Sequence, residues 1–188
     1  MPVLSGLWAD TTLLDLAPWY HLGNSHQGGY AVSQVAEGKK APLFTLPAST
    51  GEKIALRHFR GKSNVVLYFY PKDMTSGCTQ EACSFRDLRG EFEQAGAVIL
   101  GLSTDDLDSH GKFASKHELN FPLLSDTDAK ASTKYGVYKE KSMYGRKFMG
   151  IERTTFVIDK SGTIRRVYPK VSVTGHADEV LEFVRALE

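Results

Sequence analysis

Two continuous apolar stretches dominate the hydrophobic pattern of the chain. Residues 64–70 and 97–103 are both rich in β-branched, aromatic and other apolar side chains. Such stretches are typical of strands that are buried on both faces. Between them, from Cys78 to about Ala95, the apolar residues recur at helical spacing, and Gly96 follows as a helix end. The face of this helix is formed by Phe85, Leu88 and Phe92.

Shorter patterns on either side predict the remaining elements. Polar turn residues at 49–51 and 160–162 separate pairs of short strands, as expected for β-hairpins. The predicted elements are strands 42–47, 53–56 and 64–70, helix 78–95, strand 97–103, helix 108–117, strand 123–125, helix 129–135, strands 154–159 and 163–168, and helix 177–187. This order predicts an α/β protein in which an N-terminal β-hairpin precedes a mixed central sheet with helices on both faces.

Composition and charge exclude several classes of partner. The 188 residues suffice for one ordinary domain with a proper core. Lys and Arg number 23 and Asp and Glu 22, so the net charge of +1 gives no reason to expect nucleic acid as a partner. No stretch approaches the roughly 18 apolar residues that a membrane span requires. We therefore expect a protein that binds neither nucleic acid nor membrane.

The first 36 residues differ from the rest of the chain. They contain both tryptophans and no Lys or Arg, and the first basic residue is Lys39. A secretory signal requires a basic start and an uninterrupted apolar stretch, whereas Asp10 and Asp15 interrupt this one. We predict a non-catalytic N-terminal extension at 1–36 and a single domain at 37–188.

Both cysteines of the chain lie in the predicted helix, and their spacing restricts what they can do. Cys78 lies in the first turn, where free N–H groups and the helix dipole stabilise a thiolate. Cys83 follows at i+5, about 7.5 Å along the axis, so the two Cα atoms are roughly 8–9 Å apart. A disulfide requires Cα atoms about 4.4–6.8 Å apart. Either the two thiols never pair, or their oxidation unwinds the start of the helix.

The segment around Cys78 resembles the peroxiredoxins. Pro71, Thr75 and Cys78 match the Pro-x-x-x-Thr-x-x-Cys signature of that family, and the wider stretch 68–87 resembles its bacterioferritin-comigratory-protein branch, also called peroxiredoxin Q. That branch has its second cysteine five residues after the first, as here. Ser76 occupies a position where the family usually has Pro. The resemblance begins near Glu37 and implies a thioredoxin-like fold.

The resemblance also implies a reaction and a role for each site residue. Cys78 would be the peroxidatic thiolate that reduces H2O2 and organic hydroperoxides, and Cys83 would resolve its sulfenic acid as an intramolecular disulfide. Thr75 would bind the thiolate and a peroxide oxygen, Arg153 would pair with the thiolate, and Pro71 would shield it from water. Arg153 lies in Gly-Ile-Glu-Arg-Thr-Thr-Phe, which is similar to the family's Gly-x-x-Arg-x-Thr-Phe segment.

The partners expected from this resemblance are few. Thioredoxin or a similar dithiol protein would reduce the disulfide by exchange. No metal, flavin or haem is required by these steps. Because the disulfide would be intramolecular, we expect a monomer, and a thiol cycle of this kind is expected in the cytoplasm.

Other interpretations of the two thiols remain possible from the sequence. Both could be small buried core residues. A copper chaperone would use them as soft ligands for Cu(I), but no histidine lies at a telling spacing. A general dithiol oxidoreductase would usually have Cys-x-x-Cys. His110 and His117 are interpreted as surface residues of helix 108–117, and Glu81 is given a structural role at the helix start.

Overall fold

A central sheet of five strands organises the protein. A computed structural model describes residues 35–143 and 145–187, so the predicted extension lies outside the described residues except for Val35 and Ala36. The strands of the sheet are β3 Asn64–Phe69, β4 Ala97–Ser103, β5 Leu123–Ser125, β8 Thr154–Ile158 and β9 Ile164–Pro169. Their order in the sheet is β5-β4-β3-β8-β9, in which β3, β4 and β5 run parallel and β8 and β9 pair antiparallel to their neighbours.

In the described residues, four α-helices and two apolar clusters surround this sheet. The helices are α1 Ser76–Gln94, α2 Leu107–Lys116, α3 Lys130–Lys134 and α4 His176–Arg185. One cluster packs side chains of α1, α2 and α4 against Tyr68 and Val66 of β3. The other packs α3 and the N-terminal segment against Val65, Leu67 and Phe69 of the same strand. Alternate residues of β3 therefore enter different cores, which explains why residues 65–69 are all apolar.

The N-terminal hairpin and the alternating order confirm the predicted architecture. The hairpin consists of β1 Thr45–Pro47 and β2 Lys53–Ala55, and a short 3₁₀ helix, Leu56–Phe59, follows it. A second hairpin, β6 Tyr138–Met143 with β7 Arg146–Ile151, was absent from the sequence prediction. Most of β7 is exposed, so its sequence does not show the burial pattern by which strands are identified. Within the described part of the chain, no helix combines the length and apolarity needed to cross a membrane.

Close packing between β3 and β4 fixes the core beside the site. Tyr68 is opposite Gly101 in the parallel register, and its ring stacks on Phe85 of α1 with the centroids 4.8 Å apart. A Cβ atom at Gly101 would lie 2.7 Å from the Tyr68 hydroxyl oxygen and 2.8 Å from a Leu123 methyl carbon. Gly101 is therefore required by the Tyr68 ring that crosses over it.

Replacing this glycine should destabilise the fold. We expect Gly101→Ala to lower the free energy of unfolding by about 1–3 kcal/mol, because the added methyl overpacks a rigid core. Urea unfolding of the reduced protein measures the change. Gly90→Ala is the matched control: it lies on the exposed side of α1, and its Cβ would meet no described atom within 4 Å. That substitution should stabilise the protein by about 0.5–1 kcal/mol. Equal effects at the two positions would contradict the packing argument.

Candidate active site

Cys78 is the third residue of α1, just beyond the end of β3. Thr75 is the N-cap, with extended backbone angles, and its carbonyl accepts the first helical hydrogen bond from the N–H of Thr79, at 2.8 Å. The N–H groups of the first helical turn have no partner within the helix and give this end a partial positive charge. The Cys78 side chain is only 1% exposed. The sulfur therefore lies at the positive end of the helix and away from bulk water.

Arg153 directs its guanidinium at this thiol. The residue connects β7 to β8, and the next residue, Thr154, is paired with Phe69 at the carboxyl end of β3. This register places Arg153 beside the start of α1, with Nη2 3.2 Å from Cys78 Sγ. The structure thus brings Arg153 into direct contact with the Cys78 sulfur, and the role of this contact in the reaction stays a prediction.

Glu81 is the second partner of Arg153, and sequence reasoning gave it only a structural role. Arg153 Nη1 donates to Glu81 Oε2, so the guanidinium contacts the carboxylate and the sulfur at the same time. Glu81 is 1% exposed, and among the described residues its Oε1 has no hydrogen-bond partner. Burial raises the pKa of Glu81 to about 7, although the charge of Arg153 acts in the opposite direction. The signal in the sequence was the i, i+3 spacing from Cys78, which puts both side chains on one helix face.

Thr75 and Pro71 are close to Cys78 along the chain, but their roles at the sulfur are not visible as contacts. The Thr75 hydroxyl donates to the carbonyl of Lys72 at 3.0 Å. Its oxygen is thereby oriented as an acceptor, with its donor occupied. Pro71 is partly buried two residues after the end of β3. Both positions remain predictions for the reaction itself.

Cys83 lies further along the same unbroken helix. It is partly buried, and both cysteines are free thiols. Because α1 is continuous from Ser76 to Gln94, the helical rise separates the two residues by about 7.5 Å along the axis. This is the arrangement from which a disulfide cannot form without local unwinding.

His110 of α2 is buried, although the sequence analysis expected it at the surface. The residue is 0% exposed and lies beside Asp73. Helical spacing distinguishes faces but does not show which polar residue has a buried partner. In the described part of the chain, no group of three or more His, Cys, Asp or Glu side chains is arranged to hold a metal ion.

Comparison with known proteins gives a consistent result. The sequence profile described as the AhpC/TSA family matches residues 37–167. Peroxiredoxin Bcp of Bacillus subtilis is 47% identical over 148 residues, which cover 79% of this chain and 94% of that protein. Each of these matches exceeds half of the chain, and the relative is matched over nearly its whole length.

Solved structures agree with the sequence relatives. One of them is the bacterioferritin comigratory protein of Xanthomonas campestris, which was solved as trapped intermediate and ligand complexes in work on its alkyl peroxide reduction activity. It is 43% identical to this chain, with a TM-score of 0.73, and the match covers 77% of this chain and 91% of that chain. A variant of Xylella fastidiosa PrxQ is 38% identical, with a TM-score of 0.78 over 82% of this chain and 98% of that chain. These similarities confirm the thioredoxin-like fold of the domain.

A buried cysteine at a helix start, a cation in contact with its sulfur and these extended similarities lead to one conclusion. The copper chaperone and the general dithiol oxidoreductase are no longer needed to explain the two thiols. The chain belongs to the AhpC/TSA family, in its peroxiredoxin Bcp or peroxiredoxin Q branch, and is a thiol peroxidase.

Proposed function

We propose that Cys78 is the peroxidatic cysteine and that Arg153 is the cation that activates it. The observation that supports this most directly is the 3.2 Å contact between Arg153 Nη2 and Cys78 Sγ at a buried helix start. The other terminal nitrogen of Arg153, Nη1, donates to Glu81, which holds the guanidinium in place. Pro71 excludes water from the sulfur, and Thr75 contributes a hydroxyl to the bound peroxide.

In the first step, the Cys78 thiolate attacks one oxygen of a hydroperoxide. An S–O bond forms, the O–O bond breaks, and the departing oxygen takes up a proton and leaves as water or an alcohol. Sulfur is oxidised by two electrons to a sulfenic acid, and the peroxide is reduced. The guanidinium of Arg153 and the N–H groups of the first helical turn lie where negative charge develops, so they stabilise the transition state.

In the second step, Cys83 attacks the sulfur of the sulfenic acid. An S–S bond forms and water leaves, which gives an intramolecular disulfide. The spacing along α1 requires the first turns of the helix to unwind before the two sulfurs can meet. A dithiol protein of the thioredoxin type then reduces the disulfide by exchange, and α1 re-forms.

The substrates we propose are H2O2 and organic hydroperoxides, because the Xanthomonas relative is described by its alkyl peroxide reduction activity. A monomer suffices for this cycle, since both cysteines belong to one chain. We place the cycle in the cytoplasm, where thiols are kept reduced. Residues 1–36 are proposed as a non-catalytic extension of the domain at 37–188, because every residue given a role here lies between 71 and 153.

The roles of the two cysteines can be separated with one equivalent of H2O2. We expect the reduced wild-type monomer to lose two thiols and two hydrogens, measured by thiol counting and intact mass spectrometry. Cys83→Ser should gain one oxygen at Cys78 instead, and Cys78→Ser should keep its remaining thiol. If wild type retains both thiols for many minutes in equimolar peroxide, the proposed catalytic role of Cys78 is wrong.

Glu81 should leave a pH-dependent signature in stability. Because its pKa in the folded protein is raised to about 7, the folded state holds a proton that the unfolded chain releases above about pH 4.5. Wild-type stability should therefore fall relative to Glu81→Gln between about pH 4.5 and 7, by about 3 kcal/mol in total. Urea unfolding of both reduced proteins across this range measures the difference. A pH-independent difference would show that burial does not raise the pKa of Glu81 in the folded protein.

A further inference from the structure

A buried polar network outside the contacts of Cys78 connects the loop before α1 to helix α2. Its centre is Asp73, which is 4% exposed. The Asp73 carboxylate accepts from the Tyr70 hydroxyl at 2.7 Å and from the Ser109 hydroxyl at 2.8 Å, and His110 Nδ1 lies 2.9 Å from its Oδ2. The backbone N–H of Asp73 donates to Asp105 Oδ2 at 2.9 Å. Both the side chain and the backbone of Asp73 are thus fixed.

His110 has an acceptor at each of its ring nitrogens. Nδ1 lies against the Asp73 carboxylate, and Nε2 is 3.2 Å from the carbonyl oxygen of Leu124 in β5. A neutral imidazole has only one N–H and would leave one of these contacts without a proton. The ring is therefore fixed between two segments, with Asp73 on one side and β5 on the other. Because both residues are buried, replacing either one would leave a polar group of the other without its partner.

The contacts of Asp73 also constrain the residues that follow it in the chain. Burial acts to raise the pKa of the Asp73 carboxyl, but His110 together with the hydrogen bonds from Tyr70 and Ser109 outweighs burial and holds that pKa below its ordinary value. The next residue, Met74, has a φ of 59°, a left-handed conformation that is unfavourable for a side chain of its kind. Such a conformation persists only when the surrounding structure imposes it. Here it follows directly after Asp73, whose backbone and side chain are both held by hydrogen bonds.

Thr75 is held by the same short segment. Its hydroxyl donates to the carbonyl of Lys72, so its orientation depends on the path of residues 72–75. It is also the N-cap residue of α1, three positions before Cys78. Arg153 reaches the sulfur from a different part of the chain, the connection between β7 and β8, and not from residues 72–75. A shift of residues 72–75 would therefore displace Thr75 while leaving Arg153 supported by Glu81.

We propose that Asp73 and His110 are positioning residues of the peroxidase reaction, which together hold residues 72–75 so that Thr75 meets the peroxide at Cys78. This inference rests on the proposed roles of Cys78 and Thr75. Neither Asp73 nor His110 touches the reacting atoms. Their contribution is to orient one of the two sides of the peroxide site, and it should appear in reactions with peroxide more than in other reactions of the same thiolate.

The test compares two reactions of Cys78 in a Cys83→Ser background, where chemistry stops at the sulfenic acid. Asp73→Asn keeps the side-chain volume but places an amide where His110 needs a carboxylate. We expect its second-order rate constant with H2O2 to fall about tenfold, because sub-ångström displacement of a binding group has effects of this order. Alkylation of Cys78 by iodoacetamide should change less than twofold, because it requires the thiolate but not an oriented peroxide.

Three further variants complete the experiment. Adding His110→Gln to Asp73→Asn should lower the peroxide rate no further, since the two residues act as one unit. Asp128→Asn is the matched control, because this exposed carboxylate binds Lys130 at the start of α3 and should leave both rates unchanged. Ser109→Ala removes one hydrogen bond to Asp73 without a change of charge and should slow peroxide reduction about twofold, which keeps the test available if Asp73→Asn does not fold.

Two results would overturn the inference. One is a folded Asp73→Asn protein with an unchanged peroxide rate, which would make the network merely structural. The other is an equal fall in the peroxide and alkylation rates, which would mean that the helix start as a whole had changed. If the parent Cys83→Ser protein itself does not react with peroxide, the proposed role of Cys78 fails first, and this outcome is distinguished by the parent alone.

Discussion

The guanidinium of Arg153 lies between two groups of α1, with one amino nitrogen directed at Cys78 Sγ and the other at the Glu81 carboxylate. This contact depends on the sheet, because the antiparallel pairing of β8 with β3 determines where the chain enters β8. The pairing of the central strands therefore determines the position of Arg153, the side chain that contacts the Cys78 sulfur.

The same contact connects the folding of α1 to the redox state of Cys78. In the reduced protein, the Cys78 sulfur and the Glu81 side chain lie on one helix face and both contact the guanidinium of Arg153, which favours the wound helix. In the proposed cycle, oxidation of Cys78 to a sulfenic acid alters one of these two contacts. On this account, oxidation weakens the start of α1 at the step for which Cys83 requires it to unwind. The anchor at Asp73 and His110 lies before this segment and holds the preceding loop to α2.

Sequence reasoning found the parts of the site whose chemistry is local. The apolar strand 64–70, the helical pattern after it and the cysteine in its first turn were all predicted from periodicity. Arg153 was assigned only through the family resemblance, because nothing in its own neighbourhood distinguishes it from the other basic residues. Its contact with Cys78 spans 75 positions and arises from strand pairing.

The side chains whose buried partners sequence reasoning did not identify share a physical cause. Glu81 and His110 are polar residues on helices, where the usual expectation is exposure, yet both are buried because a partner from a distant segment compensates them. The β6–β7 hairpin was missed because it is short of buried positions and rich in charge, with a turn at Gly145 in the left-handed region. In each case the missing information was a tertiary contact rather than a local pattern.

The measurement that tests the central claim most directly is the rate constant of Cys78 with H2O2 in Cys83→Ser protein, with and without Arg153→Gln. Competition with a peroxidase of known rate gives both values. If the guanidinium activates the sulfur and stabilises the departing oxygen, its removal should slow the reaction by about 100-fold or more. Arg153→Lys, which keeps the charge but not the two-pronged geometry, should fall between the two. A rate within a few-fold of the parent in Arg153→Gln would contradict the account, because the contact at 3.2 Å would then have no part in the chemistry.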